Sequence, residues 1–178
     1  MLPHPLNIES YSLEEFQIQA LREEDSERVA QQLSRINPWR ALNYSPTKLR
    51  NYLISTDPCF RCRVIVTSDM TDNQRIAGLF CVRSPWLLGA CLELFAIFPD
   101  YQMMGLGTRT LAWLEQRVAA DAKNLWILVS SFNEFARAFY CKQGYTEIGK
   151  IDDLIQTGFD EILLRKNLAH VKKPDSLS

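Results

Sequence analysis

The sequence lacks a strong excess of either charge and has no long apolar run. Its 178 residues include 20 basic and 21 acidic side chains, which leave a formal charge of -1. Such a balance favours neither nucleic acid nor an anionic membrane as a partner. The longest apolar stretch, 86–98, is too short to span a bilayer and contains Glu93. Because the first residues, MLPHPLNIES, have neither the basic nor the apolar segment of a signal peptide, we expect a cytoplasmic protein.

Ligands for a metal or a redox centre are also few. The only two histidines, His4 and His170, lie near the chain ends, where we expect mobile segments, so a histidine base or a histidine-activated nucleophile is not expected. Cys59 and Cys62 form a C-x-x-C, which is typical of redox pairs and of half a zinc site. No second such pair supplies the remaining ligands, and Cys62 fits the apolar alternation of its segment. We interpret Cys62 as a small buried hydrophobe and expect no metal.

Between residues 16 and 168 the sequence alternates strand-like and helix-like segments. Strands are predicted for FQIQAL, FRCRVIVTS, RIAGLFCVR, ACLELFAIF, NLWILVSS, YTEIGKI and DEILLRK, with the second and third forming an antiparallel hairpin across the turn DMTDNQ. Helices are predicted after Glu23, from Pro46 behind a Ser45 N-cap, from Gly105 to about Ala120, and from Asn133 to Gln143. The fold class is therefore α/β (α+β), one domain with a mixed sheet of about seven strands and helices on both faces. Residues 1–15 are interpreted as a loosely attached leader and 169–178 as a flexible tail.

The segment ACLELFAIF is apolar on both faces of a strand, which predicts a central position in the sheet. Regular alternation would put Leu92, Leu94, Ala96 and Phe98 on one face and Cys91, Glu93, Phe95 and Ile97 on the other. The helix that follows and the apolar strand NLWILVSS complete a right-handed crossover. We therefore expect these two strands to be parallel neighbours.

Glycine is scarce, yet two of the 7 glycines, Gly105 and Gly107, lie where this central strand gives way to a helix. The first turn of a helix leaves its N–H groups without partners and attracts anions, and glycine lets phosphate oxygens approach closely. Thr108 adds a hydroxyl. The loop has neither G-x-x-x-x-G-K-[ST] nor a full G-x-G-x-x-G, so a P-loop and a dinucleotide fingerprint are excluded. A tight connection that binds nothing remains the alternative.

The hexapeptide QMMGLG, residues 102–107, resembles the Q/R-x-x-G-x-G/A pyrophosphate loop of the GNAT superfamily of acyl-CoA-dependent N-acyltransferases. The preceding LFAIFPDYQ resembles the fourth strand of that family. The segment NEFARAFYCKQGY resembles its N-x-x-A-x-x-[FL]-Y-x-x-x-G-[FY] motif, and the order of elements is similar from residue 16 to 168. The resemblance implies a GNAT-like, mostly antiparallel sheet with a splay between the fourth and fifth predicted strands.

The resemblance also implies acetyl-CoA as the acetyl donor and an arrangement of binding residues around it. Pantetheine would lie in the splay against main-chain groups, and the N–H of Ile97 would polarise the thioester carbonyl. Since Met103 and Met104 replace residues that are often basic or glycine, phosphate binding would depend on amides, Gln102 and Arg109. The residues implied for the cofactor are Phe95, Ala96, Ile97, Gln102, Met103, Met104, Gly105, Leu106, Gly107, Thr108, Asn133 and Phe139.

Tyr140 stands where the family often has a general acid that protonates the departing thiolate. A phenol has an unperturbed pKa of about 10 against about 8.5 for a thiol, so it is protonated near neutral pH and suits that role. The alternative is that Tyr140 only packs with Ala136 and Phe139 along an apolar helix face.

Glu93 is the only ionisable side chain in the central strand. A carboxylate on a covered strand is costly unless it is paired or used, and it would suit a base that deprotonates an ammonium through water. Its alternatives are a solvated position at the open end of the sheet or a partnership with an arginine.

The connector NPWRALNYSP resembles the acceptor wall of the family, and Trp39, Arg40 and Tyr44 are its candidate substrate residues. The leading hypothesis is an N-acetyltransferase that acts on a primary amine of a small molecule or a peptide. Its rivals are a non-catalytic acyl-CoA-binding regulatory module and an α/β interaction domain whose glycine turn binds nothing. Homodimers are common in the family, which leaves a homodimer open.

Overall fold

One open sheet forms the centre of the protein in a computed structural model that describes residues 4, 6–7, 10–67 and 75–171. Its eight strands lie in the order β1-β2-β3-β4-β5-β6-β8-β7. Only β5 and β6 are parallel, and all other neighbours are antiparallel. The strands are β1 (Ser10–Leu13), β2 (Phe16–Ala20), β3 (Phe60–Thr67), β4 (Ile76–Trp86), β5 (Gly89–Ile97), β6 (Asn124–Ser130), β7 (Thr146–Gln156) and β8 (Phe159–Asn167).

Four helices cover the two faces of this sheet, as the sequence predicts. The helices are α1 (Glu23–Ser34), α2 (Pro46–Leu53), α3 (Leu106–Ala119) and α4 (Glu134–Lys142). Along β3, Val64 and Val66 pack in the core cluster of α1 and α2, whereas Ile65 between them packs in the cluster of α3 and α4. The predicted Ser45 cap accepts a hydrogen bond from the N–H of Lys48 over 3.2 Å. Among the described residues, none of the helices has the length and apolar character needed to cross a membrane.

The N-terminal segment differs from the loosely attached leader that we expect. Residues 10–13 form β1, which pairs with β2 and makes the sheet eight-stranded rather than seven-stranded. Leu6 is fully buried, and His4 is also buried, with its Nδ1 accepting the N–H of Leu6 over 3.2 Å. The short SYSL segment escapes prediction because only Tyr11 and Leu13 in it contact the core. The predicted turn DMTDNQ and residues 172–178 of the predicted tail lie outside the described residues.

The central strand β5 departs from regular alternation at Glu93. Cys81 pairs with Leu94 while the next residue, Val82, pairs with Leu92, so Glu93 is the additional residue of a β-bulge. Leu92 packs on the α3 side of the sheet and Leu94 on the α1–α2 side, although alternation predicts one face for both. The bulge therefore turns Glu93 toward the α1–α2 side.

Just beyond the bulge, β5 and β6 separate. They pair through only four positions, Gly89–Leu92 against Asn124–Ile127. β5 then continues to Ile97 and β6 to Ser130 without further pairing to each other, while β6 stays bonded to β8 over its whole length. This gap is the predicted splay between the fourth and fifth predicted strands.

Candidate active site

Two adjoining cavities open where β5 and β6 separate. The larger, about 620 Å³, follows the end of β5, residues 101–108 and α4, and we call it the loop cavity. The smaller, about 310 Å³, lies among α2, the ends of β5 and β6, and β8; we call it the carboxylate cavity because Glu93 and Glu161 line it. The residues that line both cavities are Pro38, Trp39, Phe95, Asn133, Ala136 and Tyr140. Molecules in the two cavities would meet at this junction.

Consecutive main-chain N–H groups border the loop cavity at the turn into α3. Those of residues 103–108 donate no hydrogen bond to any described residue. Gly105 makes the turn possible by adopting φ 74°, a left-handed conformation that glycine takes without strain. Residues 106–108 open the helix, where N–H groups have no intrahelical acceptor and the helix dipole is positive. Free N–H groups at a helix N-terminus form a geometry that suits an anion.

The edge of β5 that faces the gap offers further unpaired main-chain groups. The N–H of Phe98 donates to a carbonyl of β4 over 2.8 Å. Because alternate residues of a strand direct these groups to opposite sides, Ala96 also faces β4, whereas Phe95 and Ile97 face the gap. An extended molecule in the gap can therefore bond to Phe95 and Ile97, while Ala96 only lines the cavity.

Two side chains considered for phosphate contact are already engaged. The amide nitrogen of Gln102 donates to the carbonyl of Ile97 over 2.8 Å and so fastens the loop to the end of β5. Arg109 pairs with Glu14 and with Glu15, the latter over 3.0 Å. The main-chain amides and the Thr108 hydroxyl, which only accepts a hydrogen bond from Gln143, are the donors that remain at this turn.

Tyr140 lies at the junction of the two cavities and is only 6% exposed. The rings of Phe139 and Tyr145 hold it at centroid distances of 5.2 and 5.7 Å. Its hydroxyl has no hydrogen-bond partner among the described residues, and burial raises the pKa of Tyr140 above that of a free phenol. The side chain is thus a neutral proton donor that belongs to the core and also reaches the junction.

This arrangement accompanies a family match over most of the chain. Residues 20–145 match the model of the acetyltransferase (GNAT) family. The chain belongs to the GNAT acetyltransferase family. No curated protein sequence matches it.

Solved GNAT structures share the fold at low sequence identity. The ribosomal-protein-S18-alanine N-acetyltransferase of Escherichia coli is 20% identical with a TM-score of 0.66, and the match covers 92% of this chain and 98% of that one. The spermidine N-acetyltransferase of Vibrio cholerae, solved with CoA and spermine, is 15% identical with a TM-score of 0.65 over 86% of this chain and 96% of that one. An acetyltransferase of Thermus thermophilus is 17% identical with a TM-score of 0.68 over 88% of this chain and 99% of that one.

Asn133 and Phe139 border the splay of this GNAT domain from α4. The side-chain oxygen of Asn133 caps the helix by accepting the N–H of Ala136 over 3.2 Å. Its amide NH₂ has no acceptor among the described residues and lies at the junction. The ring of Phe139 stands 6.4 Å from that of Phe95, across the loop cavity.

Glu93 is held by a cation and a hydroxyl. The Arg83 guanidinium donates to one carboxylate oxygen over 2.5 Å, and the Tyr52 hydroxyl donates to the other over 2.9 Å. Arg83 also pairs with Asp57 over 2.5 Å. Glu93 is therefore an arginine partner, one of the two alternatives raised above, and its side chain remains 21% exposed on the carboxylate cavity.

A second carboxylate, Glu161 on β8, lines the same cavity and was missed by sequence reasoning. It is 2% exposed and accepts a hydrogen bond from the Ser130 hydroxyl over 2.6 Å. Burial raises the pKa of Glu161, an effect that the Ser130 bond opposes. In the sequence, DEILLRK begins with two acidic residues, a pattern typical of the solvent-exposed end of a strand. Only the pairing of β8 with β6, which sets Glu161 opposite Ser130, brings it to the cavity.

The three candidate substrate residues do not share one environment. Trp39 lines both cavities, and Tyr44 lines the carboxylate cavity. Burial, and to a lesser degree the charge of Glu161, raises the pKa of Tyr44, and both side chains line the carboxylate cavity. Arg40 is exposed and belongs to neither lining.

Proposed function

We propose that this protein transfers an acetyl group from acetyl-CoA to a primary amine of a small molecule or a peptide, by direct attack within a ternary complex. The observation that carries the proposal is the junction of two cavities at Tyr140. One cavity ends in unpaired main-chain amides, and the other is lined by carboxylates. Their sizes suit a pantetheine arm on one side and a small amine or a peptide end on the other.

The loop cavity fits the extended and anionic parts of CoA. The free N–H groups of residues 103–108 would bind the diphosphate, since this turn combines a helix N-terminus with a glycine that brings the backbone close. The gap-facing groups of Phe95 and Ile97 would bond to pantetheine as a neighbouring strand does, and the Asn133 amide would reach it from α4. The N–H of Ile97 is the donor that we assign to the thioester carbonyl.

Acetyl-CoA supplies the acetyl group as a thioester; as the C–N bond forms and the C–S bond breaks, the ammonium nitrogen loses two protons, one to Glu93 before attack and one to solvent, from which Tyr140 is reprotonated after it has protonated the sulfur. Tyr140 gives its proton to the departing sulfur, because a buried phenol stays protonated at neutral pH. Glu93 accepts the proton of the attacking ammonium through water. Arg83 and Tyr52 each bond to one oxygen of Glu93 and fix the orientation of the carboxylate, so orienting that water is part of its role.

One observation favours the second candidate, a non-catalytic acyl-CoA-binding module. The ion pair of Glu93 with Arg83 would be present in a protein that only senses acyl-CoA. Release of free thiol from acetyl-CoA with a panel of polyamines, aminoglycosides, amino acids and peptide N-termini distinguishes the two. An enzyme releases thiol with at least one amine class, and a sensor with none.

Binding of acetyl-CoA is measured separately by thermal unfolding. A ligand at a hundred times its dissociation constant stabilises the folded state by about 2.7 kcal/mol. Stabilisation without thiol release favours the sensor. The absence of both would contradict the proposed function altogether.

A further inference from the structure

The carboxylate cavity contains one acid that the proposed mechanism does not use. Glu161 is more deeply buried than Glu93, yet its only hydrogen bond from the described residues comes from the neutral hydroxyl of Ser130. No arginine or lysine of the described residues forms an ion pair with it. Burying a carboxylate without a cation is costly, so such groups are usually paired or functional.

Among the described residues, no charged side chain that lines the cavity forms an ion pair with Glu161. From α2, the exposed Lys48 places its ammonium 4.4 Å from the centre of the Tyr44 ring, at the rim of the cavity. From β5, the Glu93 carboxyl group supplies no cation and is already bonded to Arg83. Apart from Asn133, the remaining wall is aromatic and apolar, with Trp39, Tyr44 and Tyr52 as its largest members. The place beside Glu161 therefore suits a cation that the chain itself does not provide.

The two carboxylates stand on opposite sides of the end of β6. Glu93 belongs to β5 and Glu161 to β8, and these strands flank β6. Neighbouring strands lie about 4.8 Å apart, so the two acid-bearing strands are roughly 10 Å apart, and more where β5 and β6 diverge. An acceptor whose reacting amine is deprotonated through Glu93 would therefore need a second, separate nitrogen to reach Glu161.

We propose that Glu161, oriented by Ser130, binds a positively charged nitrogen of the acceptor that is distinct from the amine to be acetylated. The acceptor is then a diamine, and Glu161 is a positioning and specificity residue. This inference rests on the proposed function, because it concerns the acceptor of the same reaction. Aromatic walls around a carboxylate suit an alkylammonium chain, whose methylenes pack on the rings.

The test compares linear diamines of three to six carbons with monoamines of the same length. With the wild-type protein, kcat/KM for the best diamine should exceed that of its monoamine by at least about tenfold, the usual effect of a hydrogen bond to a charged group. Glu161→Gln keeps the shape and can still accept from Ser130. It should abolish the preference by raising KM for diamines while leaving kcat for monoamines unchanged. Ser130→Ala should lose part of the preference, and Glu161→Asp should retain part of it.

Glu147→Gln is the matched control, since it removes an exposed carboxylate from the neighbouring strand β7 and should leave every constant unchanged. Calorimetry of acetyl-CoA with wild type and Glu161→Gln should give the same dissociation constant. Calorimetry of diamines with the CoA complex decides the inference even without turnover. Binding that depends on Glu161 supports it.

Equal use of diamines and monoamines, or a preference that survives in Glu161→Gln, would overturn the inference and leave the proposed acetyl transfer standing. A failure of the wild-type protein to bind any diamine would overturn it as well. A failure to bind acetyl-CoA contradicts the proposed function itself, so the two failures are distinguishable.

Discussion

Removal of a single oxygen atom from Tyr140 tests the role of the junction directly. In Tyr140→Phe the ring keeps its packing between Phe139 and Tyr145, and no hydrogen bond to a described residue is lost. The free energy of unfolding should therefore change little, because the Tyr140 hydroxyl has no partner among the described residues to lose. General acid catalysis contributes roughly a hundredfold or more, so kcat should fall by at least about a hundredfold, or about 2.7 kcal/mol in the barrier. We expect the lower end because a thiol with a pKa of about 8.5 is already a fair leaving group.

The assay is steady-state thiol release, with calorimetry for acetyl-CoA and thermal unfolding on the same samples. Tyr145→Phe is the matched control: Tyr145 is equally buried, its ring lies 5.7 Å from that of Tyr140, and it lines neither cavity. Because burial raises the pKa of Tyr140, the wild-type rate should show no loss from this group below pH of about 10. Equal rates for Tyr140→Phe and wild type, or equal losses in the two variants, would refute the acid role.

Three further outcomes follow from the geometry. The pKa of Glu161 is raised above its unfolded value of about 4.3, so its contribution to folding stability is fully present below that pH and is lost as pH rises through the folded-state pKa. Because glutamine carries no charge at any pH, Glu161→Gln should raise the melting temperature at pH 8 but not at pH 4. Gly105→Ala forces a side chain into φ 74° and should cost about 1 kcal/mol of stability and weaken acetyl-CoA binding, whereas Gly107→Ala meets only ordinary contacts at 3.6 Å and should be tolerated, as stability curves and calorimetry can check. Arg83→Gln removes the ion pairs with both Glu93 and Asp57 and should lower thermal stability more than Glu93→Gln does, whereas Glu93→Gln should cause the larger loss of kcat in the thiol assay.

Features with local causes could be predicted from the sequence. The helix predicted for 105–120 is α3 at Leu106–Ala119, and the helix predicted for 133–143 is α4 at Glu134–Lys142. The helix boundaries are set by residues with a local conformational preference. Gly105 adopts a left-handed conformation before α3, Asn133 caps the start of α4, and Gly144 follows the end of α4. The parallel neighbours β5 and β6 could be predicted because their segments are apolar on both faces and are joined by a helix.

Features that depend on pairing between strands distant in sequence could not be predicted from the sequence. The bulge at Glu93 exists because β4 skips one residue of β5, and no pattern within ACLELFAIF records that mismatch. Glu161 reaches the cavity because β8 inserts between β6 and β7, with a register that sets it opposite Ser130. The engagement of Arg109 by Glu14 and Glu15 likewise required β1 and β2 to be placed first. Alternation of residues along a strand predicts the sheet face of a side chain only where the pairing of the strands is regular.

The bulge links the two halves of the candidate site. Pairing of β5 with β6 stops at Leu92, the residue immediately before the bulged Glu93. A bulge bends its strand and increases the local twist, so the remainder of β5 is carried away from β6. One additional residue thus accompanies the gap in which Phe95 and the N–H of Ile97 present unpaired main-chain groups. The same residue turns a carboxylate toward Tyr52 and the carboxylate cavity. The loop cavity and the carboxylate cavity therefore share one structural cause, and a change that restores regular pairing at this point should disturb both together.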